Sequence, residues 1–298
     1  MFSQILSTLL PVFLIAGCGA LYGRFRTPDI RVLNSLNMEL FVPMLVFAVL
    51  AERKAPLQDY ADLALAGTVI VLGSGLLLWP LARLLKLDLR TFLPPMMFNN
   101  TGNMGIPLMV LAFGEQALPA AVMLFVVEML LHFSVGLYLL DPRTPLWQLL
   151  RLPIVIASIA GVAINLGGVT LPAWLLESCH MLGGISVPLM LFALGVRMLD
   201  VDFSSWKLGL LGAIACPASG LLLAWPMIEL LDLQGMQFAT LWVFAALPPA
   251  VLNYMLAEQY QQEPHKVASL VLIGNLGSVL VMPVVLGLLF AAGYGKAL

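Results

Sequence analysis

From Phe2 to Tyr294 the chain is a succession of apolar stretches divided by short polar connections. Each is about 20 residues long, the length of a helix that crosses a bilayer. Only a helix satisfies its backbone hydrogen bonds within one such stretch, so the pattern commits the chain to a bundle of membrane-spanning helices. Charged residues make up 10% of the sequence and hydrophobic ones 61%, too little charge to cover a soluble domain of this size. The expected fold is therefore all-α and integral to the membrane. The runs place ten spans at about 2–22, 32–51, 61–83, 90–113, 117–139, 148–167, 172–197, 206–230, 236–258 and 267–292.

Several classes drop out early. Cys18, Cys179 and Cys216 each lie in an apolar run without metal-ligand spacing, so neither a disulfide framework nor a metal site is expected. No basic cluster with interleaved aromatics points to nucleic acid. Ile15-Ala16-Gly17-Cys18 looks like a lipoprotein cleavage box, but no Lys or Arg precedes it. A secretory signal needs such a positive region, and the segment is read as the first membrane helix. His132, His180 and His265 fall on different segments, with no GxSxG or HExxH. An enzyme is not expected.

Eleven of the 14 Lys and Arg residues lie in the odd-numbered connections. They are Arg24, Arg26 and Arg31; Arg83, Lys86 and Arg90; Arg143 and Arg151; Arg197 and Lys207; and Lys266. The other side holds Arg53, Lys54 and Lys296. Basic connections stay in the cytoplasm, which puts both termini on the outer side of a plasma membrane. Trp147 and Trp206 at span starts, with Trp79 and Trp225 near span ends, suit interfacial anchors.

The sequence also repeats. Val42-Pro43-Met44-Leu45-Val46-Phe47-Ala48 in span 2 matches Val187-Pro188-Leu189-Met190-Leu191-Phe192-Ala193 in span 7. Ser74-Gly75-Leu76-Leu77-Leu78 recurs as Ser219-Gly220-Leu221-Leu222-Leu223, and Leu93-Pro94-Pro95 with Asn99 recurs as Leu247-Pro248-Pro249 with Asn253. The order is the same each time, giving repeats at 1–143 and 144–298. Five spans is an odd number, so the second unit enters the membrane from the opposite side. Inverted repeats with broken helices near the midplane are the architecture of secondary transporters.

Span 4 carries the densest polar cluster, Asn99-Asn100-Thr101-Gly102-Asn103-Met104-Gly105-Ile106-Pro107. Gly102, Gly105 and Pro107, with Pro94 and Pro95 upstream, disfavour a continuous helix. Unwound backbone survives at this depth only beside protein or a water-filled cavity. The half-helix that follows would aim free N–H groups at an anion. Span 9 mirrors the pattern with Pro248, Pro249, Asn253 and Tyr254. Asn99, Asn100, Thr101, Asn103, Asn253 and Tyr254 are thus the candidate substrate-binding residues, at a crossing of spans 4 and 9. The competing role for the asparagines is to knit helices together, which is the preferred reading for the isolated Asn165.

Asn100-Thr101-Gly102-Asn103-Met104-Gly105-Ile106-Pro107-Leu108 resembles the fourth-helix motif of the auxin efflux carrier family. The segment from Leu247-Pro248 through Ala257-Glu258-Gln259-Tyr260, with Pro264 and Gly274, resembles its ninth-helix region. The resemblance implies the fold shared with bile-acid/sodium symporters. Spans 1, 2, 6 and 7 would be a scaffold, spans 3–5 and 8–10 a moving transport domain, and the protein a homodimer through its scaffolds. The plant carriers have proline where this chain has Asn99 and Asn253, and they have a long central loop. The connection around Asp141 to Gln148 is short, so the chain resembles the compact bacterial branch, with malonate- or malate-like carboxylates as implied substrates.

A charge at membrane depth is costly and marks function by default. Glu128 and His132 are one turn apart in span 5 and share a helix face. They are candidates for proton or cation coupling, or else a self-neutralising pair. Asn275 in span 10 has a transport or a structural role. No cofactor is expected beyond a coupling H+ or Na+. The expected function is alternating-access transport of a small organic anion. The alternatives are a channel or uniporter for a weak acid, and a sodium-coupled symporter of another solute.

Overall fold

The computed structural model describes residues 2–26, 28–52, 57–143, 145–200 and 205–295. Arg53, Lys54 and Lys296 of the charge count, and residue 144 at the expected repeat boundary, lie outside the described residues. Twelve helices carry the fold among the described residues. In chain order they are α1 (Phe2–Phe25), α2 (Val32–Ala51), α3 (Ala61–Leu84), α4 (Leu89–Met97), α5 (Thr101–Phe113) and α6 (Glu115–Leu140). There follow α7 (Pro153–Leu166), α8 (Ala173–Arg197), α9 (Trp206–Leu230), α10 (Gly235–Ala246), α11 (Val251–Gln259) and α12 (Pro264–Ala291). Seven of these, α1, α2, α3, α6, α8, α9 and α12, are long and apolar enough to cross a membrane; α5, α7 and α10 are shorter apolar helices.

The expected fourth span is two helices, α4 and α5, and the ninth is α10 and α11. The sixth differs from its expected 148–167: α7 begins only at Pro153, after a 3-10 turn over Leu146–Arg151. Proline has no N–H to give and fits the first helical turn, so Pro153 sets that start.

Helices α3 and α9 end alike. Each passes into a left-handed residue, Lys86 at φ 53° and Asp232 at φ 48°. Leu87 N–H then reaches back to the Ala82 carbonyl at 2.9 Å, and Leu233 N–H to Ile228 at 3.1 Å. This C-terminal motif satisfies carbonyls the helix leaves open, and it turns the chain directly into α4 and α10.

Helix α1 packs against α8, α2 against α7 and α8, and these four form one group. Helices α3, α4, α6, α9, α10 and α12 pack among themselves as a second group. Glycine sets the closest approach in the first. A Cβ at Gly195 would fall 1.8 Å from the Ala16 carbonyl oxygen, and one at Gly19 would fall 2.0 Å from that of Phe192. Without a hydrophobic drive between helices in lipid, such backbone-to-backbone contact supplies the packing energy. At the basic ends of the helices, guanidinium or ammonium groups sit over tryptophan rings. Arg83 lies 5.5 Å from Trp79, Arg151 4.2 Å from Trp147 and Lys207 5.7 Å from Trp206.

Candidate functional site

The two helix breaks meet. Pro248 and Pro249 lack N–H groups and force Leu247 into extended backbone (φ −63°, ψ 148°), ending α10. Pro94 and Pro95 lie inside α4, which runs two residues further before Phe98 turns extended (φ −104°, ψ 107°). The break thus precedes Gly102, Gly105 and Pro107, which lie inside α5. Asn99 and Pro249 face each other in an antiparallel bridge. Asn100 N–H donates to the Pro248 carbonyl at 2.7 Å, and Ala250 N–H to the Phe98 carbonyl at 2.9 Å. Each unpaired backbone group here would cost several kcal/mol.

Side-chain amides complete this pairing. Asn99 Nδ2 donates to the Phe244 carbonyl at 2.9 Å, and Asn253 Nδ2 to Phe98 at 2.9 Å. Asn100 Nδ2 donates to Asn275 Oδ1 at 2.7 Å, and Asn275 Nδ2 donates to the Pro249 carbonyl at 3.0 Å. All four asparagines are buried. Their donors therefore hold the crossing together, as Asn165 Nδ2 holds the end of α2 through the Leu50 and Glu52 carbonyls at 3.0 Å each.

Beneath the crossing lies a cavity of about 650 Å³. Its roof is Asn99, Asn100, Thr101, Gly102 and Asn103; one wall is Asn34, Ser35, Asn37, Met38 and Glu39 of α2; another is Phe125, Glu128, Met129, His132 and Phe133 of α6. Met190 and Arg197 of α8, with Glu258 and Gln259 of α11, extend it downward. Arg197, Glu258 and Gln259 stand at the helix ends that lead into basic connections. Among the described residues, nothing from α10 and nothing in α5 beyond Asn103 lines the cavity, so it stops at the crossing.

At the roof, α5 opens with a wide turn in which Ile106 N–H reaches the Thr101 carbonyl. Among the described residues the first-turn N–H groups of Gly102 and Asn103 make no backbone hydrogen bond, as their place at the start of the helix entails. They form the positive end of the α5 dipole. Two more wide turns, over Asn37–Phe41 and His132–Gly136, flank the same cavity. Such π-turns are frequent at functional sites because they re-aim side chains.

Glu128 does not pair with His132. The Thr101 hydroxyl donates to Glu128 Oε2, and both residues are buried. His132 stacks on Phe98, ring centroids 4.1 Å apart. His132 Nε2 and Asn253 Oδ1 have no hydrogen-bond partner among the described residues, and both residues border a void of about 10 Å³. That is close to the minimum that holds one water.

Of the sequence candidates, Asn99, Asn100, Thr101, Asn103, Glu128 and His132 line the main cavity, whereas Asn253, Tyr254 and Asn275 do not. Asn253 and Asn275 turn their amides to the crossing, and the Tyr254 hydroxyl donates to Glu258 Oε1 at 3.3 Å. Sequence reasoning placed Arg197 in a connection and left Asn37 and Glu39 without a role; all three line the cavity. The signal for Asn37 and Glu39 was that they are polar residues in the first half of the apolar span 2. Nothing in the sequence showed which way α8 would present Arg197.

A sequence profile described as "membrane transport protein" matches the chain twice, over residues 4–145 and 143–286. The two matches meet near the expected repeat boundary. The chain is also 23% identical over 293 residues to the uncharacterized transporter MJ1031 of Methanocaldococcus jannaschii, with 92% of this chain and 94% of that protein covered. A twofold profile match over most of the chain, together with this multi-pass helical fold, makes it an integral membrane protein of the membrane transport protein (auxin efflux carrier) family.

Proposed function

We propose that this protein is a secondary carrier that moves a small carboxylate, of the malonate or malate kind, by alternating access. The observation that carries the reading is a cavity that reaches the bundle's basic end and stops at the crossing, against the N-terminus of α5. In this reading the basic end is cytoplasmic, the ten spans form two inverted repeats, and the cavity is the inward-open state. Helices α1, α2, α7 and α8 would be the scaffold. The remaining helices would move past it with the crossing as a unit, because hydrogen bonds from Asn99, Asn100, Asn253 and Asn275 lock the crossing internally.

A substrate carboxylate would rest on the Gly102 and Asn103 N–H groups at the positive end of α5. The Asn103 side chain and Arg197 also line the space. Glu128, bonded to Thr101, occupies the same end of the helix. Two negative charges there would repel strongly in a low-dielectric site. Glu128 would therefore take up a proton as the anion enters, coupling one to the other. Homodimer formation through the scaffold belongs to the same reading.

The test is counterflow of labelled malonate in proteoliposomes. Saturable uptake, accelerated by unlabelled substrate on the far side, is expected. A disulfide joining α1 to α5, which pack together, should stop flux while leaving binding intact. Flux that never saturates, or that continues in the locked protein, would rule out alternating access.

A further inference from the structure

The wall of α2 opposite the crossing has a chemistry that an anion alone does not use. Asn37 is 4% exposed, and its Oδ1 has no hydrogen-bond partner among the described residues. An unmet buried acceptor of this kind is costly unless a ligand or water meets it. The wide turn over Asn37–Phe41, in which Val42 N–H reaches the Asn37 carbonyl, shifts the register of side chains along this face. Glu39 lies in the same turn. Its Oε1 accepts from the Ser35 hydroxyl at 2.6 Å. Glu39 also lines the cavity, so its carboxylate offers an acceptor there.

The charges of the lining point the same way. With Glu128 protonated, as the carrier reading has it when the anion enters, the lining still carries two carboxylates, Glu39 and Glu258, against one guanidinium, Arg197. A substrate that brought only carboxylates would meet more negative charge than positive. One that also carried a donor would satisfy Asn37 and Glu39.

We propose that Asn37 and Glu39 form a scaffold-side subsite for a hydrogen-bond donor of the substrate. The preferred cargo is then a carboxylic acid bearing a hydroxyl or ammonium group, with a plain dicarboxylate such as malonate carried but bound more weakly. This rests on the carrier reading above and narrows it. It also gives the two groups of helices a reason to close on the cargo, since the carboxylate would bind the moving crossing and the donor would bind the scaffold.

Succinate, malate and aspartate share a four-carbon diacid skeleton and differ only in H, OH or NH3+ on one carbon. Their binding to the purified full-length protein is measured by thermal shift and by calorimetry, and their exchange by counterflow. Wild type should bind malate and aspartate at least about tenfold more tightly than succinate. Asn37→Leu should bring malate and succinate within about twofold. Glu39→Gln, which keeps an acceptor oxygen but not the charge, should cut the aspartate advantage and spare that of malate. If Asn37→Leu does not fold, Asn37→Ala, which also removes the acceptor, replaces it. Equal wild-type binding of all three acids overturns the subsite, as does a preference that survives both substitutions. If none of the three binds or exchanges, the organic-acid reading itself fails, and the subsite with it.

Discussion

Asn99 and Pro249, in two helix breaks far apart in sequence, are paired in an antiparallel bridge inside the bundle. The pairing lets two helices stop inside an apolar environment without leaving backbone groups unmet. It also frees the start of α5 to face the cavity.

The amide ring around this bridge should be structural. Asn100→Ala, which orphans Asn275 Oδ1, should lower stability by about 1–3 kcal/mol. A double-mutant cycle with Asn275→Ala should show that the two losses overlap rather than add. Thermal unfolding in detergent reads both.

Asn103 is on the roof but takes no part in the bridge. Asn103→Ala should therefore raise the substrate KM several-fold, up to about tenfold for one lost hydrogen bond. The melting temperature should stay where it is. A drop in melting temperature as large as that of Asn100→Ala would place Asn103 with the structural amides instead.

Glu128→Gln keeps the shape and the Thr101 contact but removes the titrating group. Exchange of substrate should persist, while uptake driven by an inward proton gradient should be lost. Gradient-driven accumulation at the wild-type level in Glu128→Gln would remove Glu128 from coupling.

Close packing of α1 on α8 should be sensitive to a single methyl. Gly195→Ala and Gly19→Ala drive a Cβ into backbone carbonyls and should destabilise by about 1–3 kcal/mol or more. Gly184 has nothing within 4 Å of its Cβ position. Gly184→Ala should be neutral or gain up to about 1 kcal/mol from helix propensity.

Outside the membrane, Glu263 joins Lys266 to Thr91, whose hydroxyl donates to Glu263 Oε2 at 2.7 Å. The Lys266 hydrogen bond, chiefly, holds the Glu263 carboxyl below its usual value of 4.5, against a smaller opposing effect of desolvation. A carboxyl whose value is lowered on folding stabilises the fold above its unfolded value, and that stabilisation fades as the pH falls through the folded one. The melting temperature of Glu263→Gln should thus fall slightly below wild type at neutral pH, and the gap should close under acid conditions below about 4.5. The pair is exposed, so the gap is small.

The sequence by itself determined the membrane class, the order of the spans, the repeated halves and the segments where helices break. Apolar length, proline and charge asymmetry act locally, and each is legible in one stretch of chain. The tertiary structure decided what the asparagines do. Asn99, Asn253 and Asn275 could equally have faced a substrate or a carbonyl, and only the meeting of α4 with α10 supplied the carbonyls of Phe98, Phe244 and Pro249. It likewise separated Glu128 from His132, because Thr101 and Phe98 offered each a better partner. The cavity's far wall was beyond sequence for the same reason. Asn37, Glu39 and Arg197 come from helices whose rotation is fixed by backbone contacts at Gly19, Gly183 and Gly195. Periodicity gives a helix its apolar face, but packing against a neighbour decides where the remaining polar groups point.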